Sequence, residues 1–310
     1  MYFPLSGVTV DPWLPPLVSF CISFFTSMGG ISGAFLLLPF QMSFLHYTHP
    51  SVSSTNQFYN IVAIPPGVYR YWREGRMLWP LTWTVVLGTL PGVLIGALVR
   101  VGGLRDPKNF KLFAALVLLY IGGKLVIDQL KKKTGQTLRS EQRFQTGKTT
   151  TVTSATQADC TVQVTQSNLR RFQFSFQGEH FDVNRAGVFL LCFVVGIVGG
   201  IYGIGGGAII APFLVSFCKL PIYTIGGATL MGTLVTSVAG VGFYTAIAPF
   251  YPELAVAPDW LLGLLFGLGG MLGMYCGARC QKYVPAKLIK WFLAVVILLT
   301  AGRYLMEFFS

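Results

Sequence analysis

Acidic side chains are scarce in this chain: Asp and Glu together number 11 of 310 residues, against 23 Lys and Arg. There are three histidines, no HExxH pattern, no pair of carboxylates inside an apolar run and no Ser/His/Asp set. Neither a zinc hydrolase nor an intramembrane acid–base enzyme is therefore expected, and no metal or cofactor. The six cysteines (Cys21, Cys160, Cys192, Cys218, Cys276, Cys280) are scattered without metal-ligand or disulfide spacing and read as small packing residues. The first twenty residues hold no Lys or Arg, so the basic start of a secretory signal is missing and the N-terminus is expected to be retained.

What the chain has instead is apolar sequence. Hydrophobic residues make up 53%, charged residues 11%, and there are 36 glycines. Several apolar runs reach the roughly 18 to 20 residues that cross a hydrocarbon core of about 30 Å, which predicts an all-α polytopic membrane protein in a lipid bilayer. The formal charge of +12 fits Lys and Arg gathered in cytoplasmic loops, and no nucleic-acid partner is expected.

The chain repeats itself. "SMGGISGAFLLLPFQMSF" from Ser27 aligns with "GIYGIGGGAIIAPFLVSF" from Gly200, pairing Gly30, Gly33, Pro39 and Phe40 with Gly203, Gly206, Pro212 and Phe213. Further on, "KNFKLFAALVLLYIGGKLVIDQL" from Lys108 aligns with "KLIKWFLAVVILLTAGRYLMEFF" from Lys287. Two matches in the same order indicate a duplication. The domains expected are a first membrane repeat (1–130), a soluble cytoplasmic insertion (131–184) and a second membrane repeat (185–310). In each repeat a glycine-broken segment precedes three apolar runs, about 54–71, 78–100 and 109–130, then 224–247, 259–280 and 286–308. Within the insertion, "CTVQVTQS" and "RFQFSFQGEHFDV" alternate with the period of a strand and predict a small two- or three-stranded flap.

From Pro15 to Leu45 a single helix would measure about 46 Å, too long for one crossing and too short for two. A re-entrant hairpin of two half-helices solves this, with the glycines as its turn. Charge placement favours it. With re-entrant segments, one face collects Arg70, Arg73, Arg76, Lys131, Lys132, Lys133, Arg185, Lys219, Arg279, Lys282, Lys287 and Lys290, and the other only Arg100, Arg105, Lys108, Lys111 and Arg303. If the segments cross, the same cations divide almost evenly, so the positive-inside rule selects re-entry. Three full crossings per repeat then make the repeats inverted, with both termini outside and 131–184 cytoplasmic.

In inverted-repeat transporters the substrate site lies at the midplane between the repeats. Here the second half-helix of each hairpin would aim its unpaired N–H groups and positive dipole end at the bilayer centre, an anion site without formal charge. The candidate substrate-binding residues are Gly30, Ser32 and Gly33 in the first turn and Gly203, Gly205, Gly206 and Gly207 in the second. Thr55 and Asn56 of "HPSVSSTNQFYN" and Thr229 and Thr233 of "GGATLMGTLVTS" add hydroxyl and amide groups. Thr55 and Asn56 are expected beside the second turn. A leucine at Gly205 or Gly206 is expected to block transport while sparing the fold, whereas Gly92 is expected to serve assembly. Gly88, Gly92 and Gly96, with Gly269, Gly273 and Gly277, recur every fourth residue and read as close-packing faces. Gly203–Ala208 fits the dinucleotide fingerprint only formally, since no strand precedes it. His46 and His49 read as structural, and Lys124–Asp128 and Arg303–Glu307 as interface pairs.

"GIYGIGGGAIIAPFL" at 200–214, "GGISGAFLLLPF" at 29–40 and the glycine-rich third helices resemble the TauE/SafE sulfite and organosulfonate exporters, over nearly all of the chain except about 131–172. The resemblance implies outward transport of small sulfur-containing oxyanions such as sulfite or sulfoacetate at the cell membrane. Residue chemistry alone reaches "small anion". A thiosulfate or sulfate importer and an anion channel are the alternatives. Ser32 and Ala34 stand where the second repeat has Gly205 and Gly207, so the two hairpins are expected to contribute unequally.

Overall fold

Apolar runs become helices here wherever glycine and proline allow it. The structure, a computed structural model, describes residues 1–28, 32–75, 77–130, 163–168, 171–176, 179–218, 222–280 and 286–309. A small hairpin opens the chain, β1 (Tyr2–Phe3) against β2 (Val8–Thr9), with Gly7 at positive φ in its turn. The first half continues with α1 (Leu14–Met28), α2 (Ala34–Ser43), α3 (Ser51–Ala63), α4 (Pro65–Arg73), α5 (Trp79–Gly102) and α6 (Pro107–Leu130). An antiparallel sheet β3 (Gln163–Ser167), β4 (Arg171–Phe176), β5 (Glu179–Asn184) follows, in the order β3-β4-β5. The second half is α7 (Arg185–Tyr202), α8 (Gly206–Phe217), α9 (Ile222–Ile247), a 3₁₀ turn (Ala248–Phe250), α10 (Trp260–Cys280) and α11 (Ala286–Phe309).

Among the described residues six helices are long and apolar enough to cross a membrane: α5, α6, α7, α9, α10 and α11. The number equals that expected from the sequence, but the membership differs. The run expected as one crossing over 54–71 is two helices, because Pro65 and Pro66 lack the N–H that would continue α3 and instead start α4. α4 buries none of its residues and exposes Tyr69 and Trp72 beside Arg70 and Arg73, a composition suited to the membrane–water boundary. α7, taken as a half-helix in the sequence, runs 18 residues, about 27 Å. The three strands lie where period-two alternation puts them; the two-residue strands β1 and β2 carry no such signal and went unread.

Packing is reciprocal between the halves. α5 lies chiefly against α7, α1 against α10 and α6 against α11. Close approach needs glycine: a Cβ at Gly92 or Gly96 would collide with backbone of Phe193 or Ile197 in α7, and one at Gly269, Gly273 or Gly277 with backbone of Pro16, Phe20 or Phe24 in α1. The expected close-packing faces are thus present. Outward-facing Leu87, Leu98, Leu116, Leu264, Leu272 and Leu299 are exposed, as a lipid-facing surface requires. Lys111 Nζ and Arg303 Nε both reach Glu307, at 2.7 and 3.0 Å, tying α6 to the end of α11.

Asp259, almost fully buried, fastens one end of the bundle. Its Oδ1 accepts from Leu262 N at 3.1 Å and caps α10, while its Oδ2 accepts from Ser6 Oγ at 2.8 Å and holds the N-terminal hairpin, whose Phe3 and Val8 enter the core. Asp259→Ala removes a cap and takes from Ser6 the carboxylate that accepts from both its N–H and its hydroxyl. It is expected to cost about 2 kcal/mol and to expose the first ten residues to limited proteolysis at temperatures where the wild type resists.

Candidate functional site

α3 inverts the usual polarity of a membrane helix. Ser51, Ser53, Ser54, Thr55, Asn56, Gln57 and Asn60 are all fully buried, so this helix brings hydroxyl and amide groups into the middle of an apolar bundle, where each must find a partner. Ser53, Asn56 and Asn60 stand at i, i+3 and i+7 and share one face.

That face joins the two glycine breaks. In the first break, Gly29–Ile31 and hence Gly30 lie outside the described residues. Ser32 Oγ donates to Asn60 Oδ1 at 3.1 Å, and Gly33 is the N-cap of α2 with no capping side-chain bond. In the second, Gly203 (φ +82) ends α7 and Gly205 (φ +73) starts α8, conformations that favour glycine. Asn60 Nδ2 donates to Ile204 O at 3.1 Å and approaches Ser237 Oγ of α9 at 3.4 Å. Ser53 Oγ donates to Ile201 O at 3.2 Å, and a Cβ at Gly203 would collide with Ser53 backbone. One asparagine thus bonds to both breaks, and the breaks lie side by side.

The residues expected beside the second turn divide. Asn56 donates from Nδ2 to Ala34 O of α2 at 2.9 Å, and its Oδ1 is buried without a partner among the described residues. Thr55 points elsewhere: its hydroxyl bonds Tyr47 OH at 2.9 Å and accepts from Asp259 N at 2.9 Å, stitching loops together. It is Ser53 and Asn60 that bond to the second turn. Both belong to the same polar stretch, but a sequence gives no way to rank seven polar residues on one helix by what they face.

Thr229 and Thr233 line the second turn from α9. A Cβ at Gly207 would collide with both, yet Thr229 donates to Gly226 O and Thr233 to Thr229 O, at 3.1 and 2.8 Å. Hydroxyls spent on their own helix have no proton left for an anion. Two groups that the same polar stretches offer, but that were not among the candidates chosen from them, are less committed. Ser237 Oγ would stand 3.1 Å from a Cβ at Gly205. Gln57, whose amide nitrogen and oxygen are buried without partners among the described residues, packs on Gly240, one turn along α9 from Ser237.

α8 itself begins inside the protein. Gly205, Gly206 and Gly207 are buried, and the N-cap makes no side-chain bond. The first N–H groups of a helix have no intrahelical acceptor, and a buried start without a capping side chain calls for another partner. Gly206 is not an open wall of a cavity, however: a Cβ there would collide with Thr89 of α5. The expectation that leucine at Gly206 spares the fold is therefore revised, because that glycine packs α8 on α5 as closely as Gly92 packs α5 on α7.

Arg100 is the larger surprise. Counted in the sequence as a loop cation, it is fully buried. Its Nε approaches Ser53 Oγ at 3.4 Å, its Nη2 donates to Thr48 O at 3.4 Å and its Nη1 to Leu104 O, while Cζ lies 3.7 Å from the Phe110 ring centroid.

No solved structure matches the chain. It is 28% identical over 122 residues to the probable membrane transporter protein YdhB of Bacillus subtilis (strain 168), a stretch covering 39% of this chain and 46% of that protein. The chain thus matches less than half the length of this curated relative. Over residues 16–304, from α1 to the last turns of α11, the sequence fits the family described as sulfite exporter TauE/SafE, taking in both glycine breaks and the polar helix between them. This chain belongs to the TauE/SafE family of membrane transporters.

Proposed function

We propose that the protein is a secondary transporter that exports sulfite or a related organosulfonate by alternating access. The anion sits where the two glycine breaks meet, against the N-terminus of α8. The observation that carries this reading is the buried, side-chain-uncapped start of α8 beside Ser237, with the unpartnered Gln57 amide one turn away. Backbone N–H groups, a hydroxyl and an amide can solvate an oxyanion and release it. The break glycines are closely packed, so the anion gains access as the bodies on either side of α3 move apart. An inside-negative potential drives an anion outward by about 2.3 kcal/mol per charge per 100 mV, so export requires no coupling ion.

In the same reading α1–α2 and α7–α8 are re-entrant although α7 alone is long enough to cross, α3 and α4 together make the first crossing of their repeat, the repeats are inverted, the termini are outside and 131–184 is cytoplasmic. Burial of Arg100 sharpens the charge asymmetry, since the sparse face keeps only Arg105, Lys108, Lys111 and Arg303. On a cysteine-free background, Lys148→Cys is expected to react with an impermeant maleimide only after cells are opened. Labelling of intact cells would invert the topology. The function is tested by radiolabelled sulfite flux in proteoliposomes under an imposed potential. Saturable flux that follows the anion gradient and the potential is expected. Currents far above carrier turnover would make it a channel, and the absence of flux for sulfite, sulfoacetate and thiosulfate would end the reading.

A further inference from the structure

A guanidinium without a counter-ion is an unstable thing to bury, and Arg100 is such a group. Among the described residues no carboxylate forms an ion pair with it. Its partners are Ser53 Oγ, two loop carbonyls and the face of Phe110. Two carbonyls could be served by a neutral amide; the Phe110 face offsets part of the cost of burying the charge, and a visiting anion would offset the rest. Its position says what visits. Ser53, which Arg100 approaches, also donates to Ile201 O and packs on Gly203, so the guanidinium is one residue removed from the turn before α8. Tyr244, a neighbour of both Ser53 and Arg100, adds a hydroxyl that donates to Gly200 O at 3.4 Å.

We infer that Arg100 and Ser53 form a second oxyanion subsite, between the α8 turn and the end of the bundle that carries the α5–α6 loop. This rests on the transport reading above. The planar fork of an arginine matches two oxygens of one oxyanion, sulfite or a sulfonate included. Thr48 belongs to the loop between α2 and α3 and Leu104 to the loop between α5 and α6. An anion that takes the fork competes with both carbonyls for its N–H groups, so arrival of substrate is coupled to loosening of the two loops at that end.

The test is the thermal midpoint of the purified full chain in nanodiscs, titrated with sodium sulfite under nitrogen and with sodium chloride at matched ionic strength. Wild type is expected to be stabilised by sulfite and not by chloride. Arg100→Met, which keeps length and removes charge, is expected to fold, to melt somewhat lower than wild type without sulfite because Thr48 O and Leu104 O lose their donor, and to bind sulfite at least tenfold more weakly. Arg100→Lys, charged but without the fork, should lie between the two, and Ser53→Ala should weaken sulfite binding with Arg100 in place. Wild-type sulfite affinity in Arg100→Met would overturn the subsite while leaving the transport reading standing. Loss of the fold in both Arg100→Met and Arg100→Lys would make the residue a structural staple and equally end the proposal, as would an equal shift with chloride. If wild type shows neither a sulfite shift nor flux, it is the transport reading that fails.

Discussion

Asn60→Ala is expected to abolish anion flux and to destabilise the protein by about 2 to 4 kcal/mol. Asn60 Oδ1 accepts from Ser32 in the first break, and Nδ2 donates to Ile204 O in the second. Alanine removes both bonds at once and leaves a buried hydroxyl and a buried carbonyl unpaired, each worth about 1 to 3 kcal/mol. Asn60→Asp separates site from scaffold. A carboxylate still accepts from Ser32, but it offers no N–H to Ile204 O and sets a negative charge beside the proposed anion. Flux should be lost more completely in Asn60→Asp than in Asn60→Ala, measured in proteoliposomes at equal amounts of folded protein. Wild-type flux in either variant would detach the meeting of the two breaks from transport.

Gly92→Ala is expected to cost folding at least as much as Asn60→Ala, without touching the site. Its Cβ would collide with Phe193 O and stand 2.9 Å from Ile197 N, and all of these neighbours are backbone. A side chain can rotate away, but a helix must move bodily, so the penalty is about 3 kcal/mol or more, at or above the usual range for overpacking. Gly123→Ala is the matched control. A Cβ at Gly123 meets nothing within 4 Å, and alanine in an open helical position is stabilising by about 0.5 to 1 kcal/mol. The yield of monodisperse protein after detergent extraction should fall sharply for Gly92→Ala and hold or rise for Gly123→Ala. Equal yields would mean that the α5–α7 contact is looser than these distances.

Much of this was legible in the residues. The four-residue glycine spacing announces a helix contact because it keeps one face bare over several turns. The strands of the insertion are legible because alternation survives even in a polar sequence. Other features were hidden for physical reasons. Pro65 and Pro66 sit in an apolar run whose composition still suggested one crossing, and the α3–α4 break shows only in the backbone. Arg100 lies near the end of α5, where a long cation ordinarily reaches back to the interface, so its burial could not be read from position. Asn60 and Ser53 were visible as polar residues. Their rank over Thr55 depends on the rotation of α3 about its axis, which composition does not set.

The reciprocal packing of α5 with α7 and of α1 with α10 bears on how such a chain is made. During synthesis the first half leaves the ribosome with the bare glycine row of α5 waiting for a partner encoded about a hundred residues later and the whole of α1 for one about 250 residues later. Neither half can complete its own interior, and contacts of such long sequence separation form slowly. Production of the two halves as separate polypeptides should therefore yield stable protein only when both are present in one membrane, each acting as the template on which the other finishes folding.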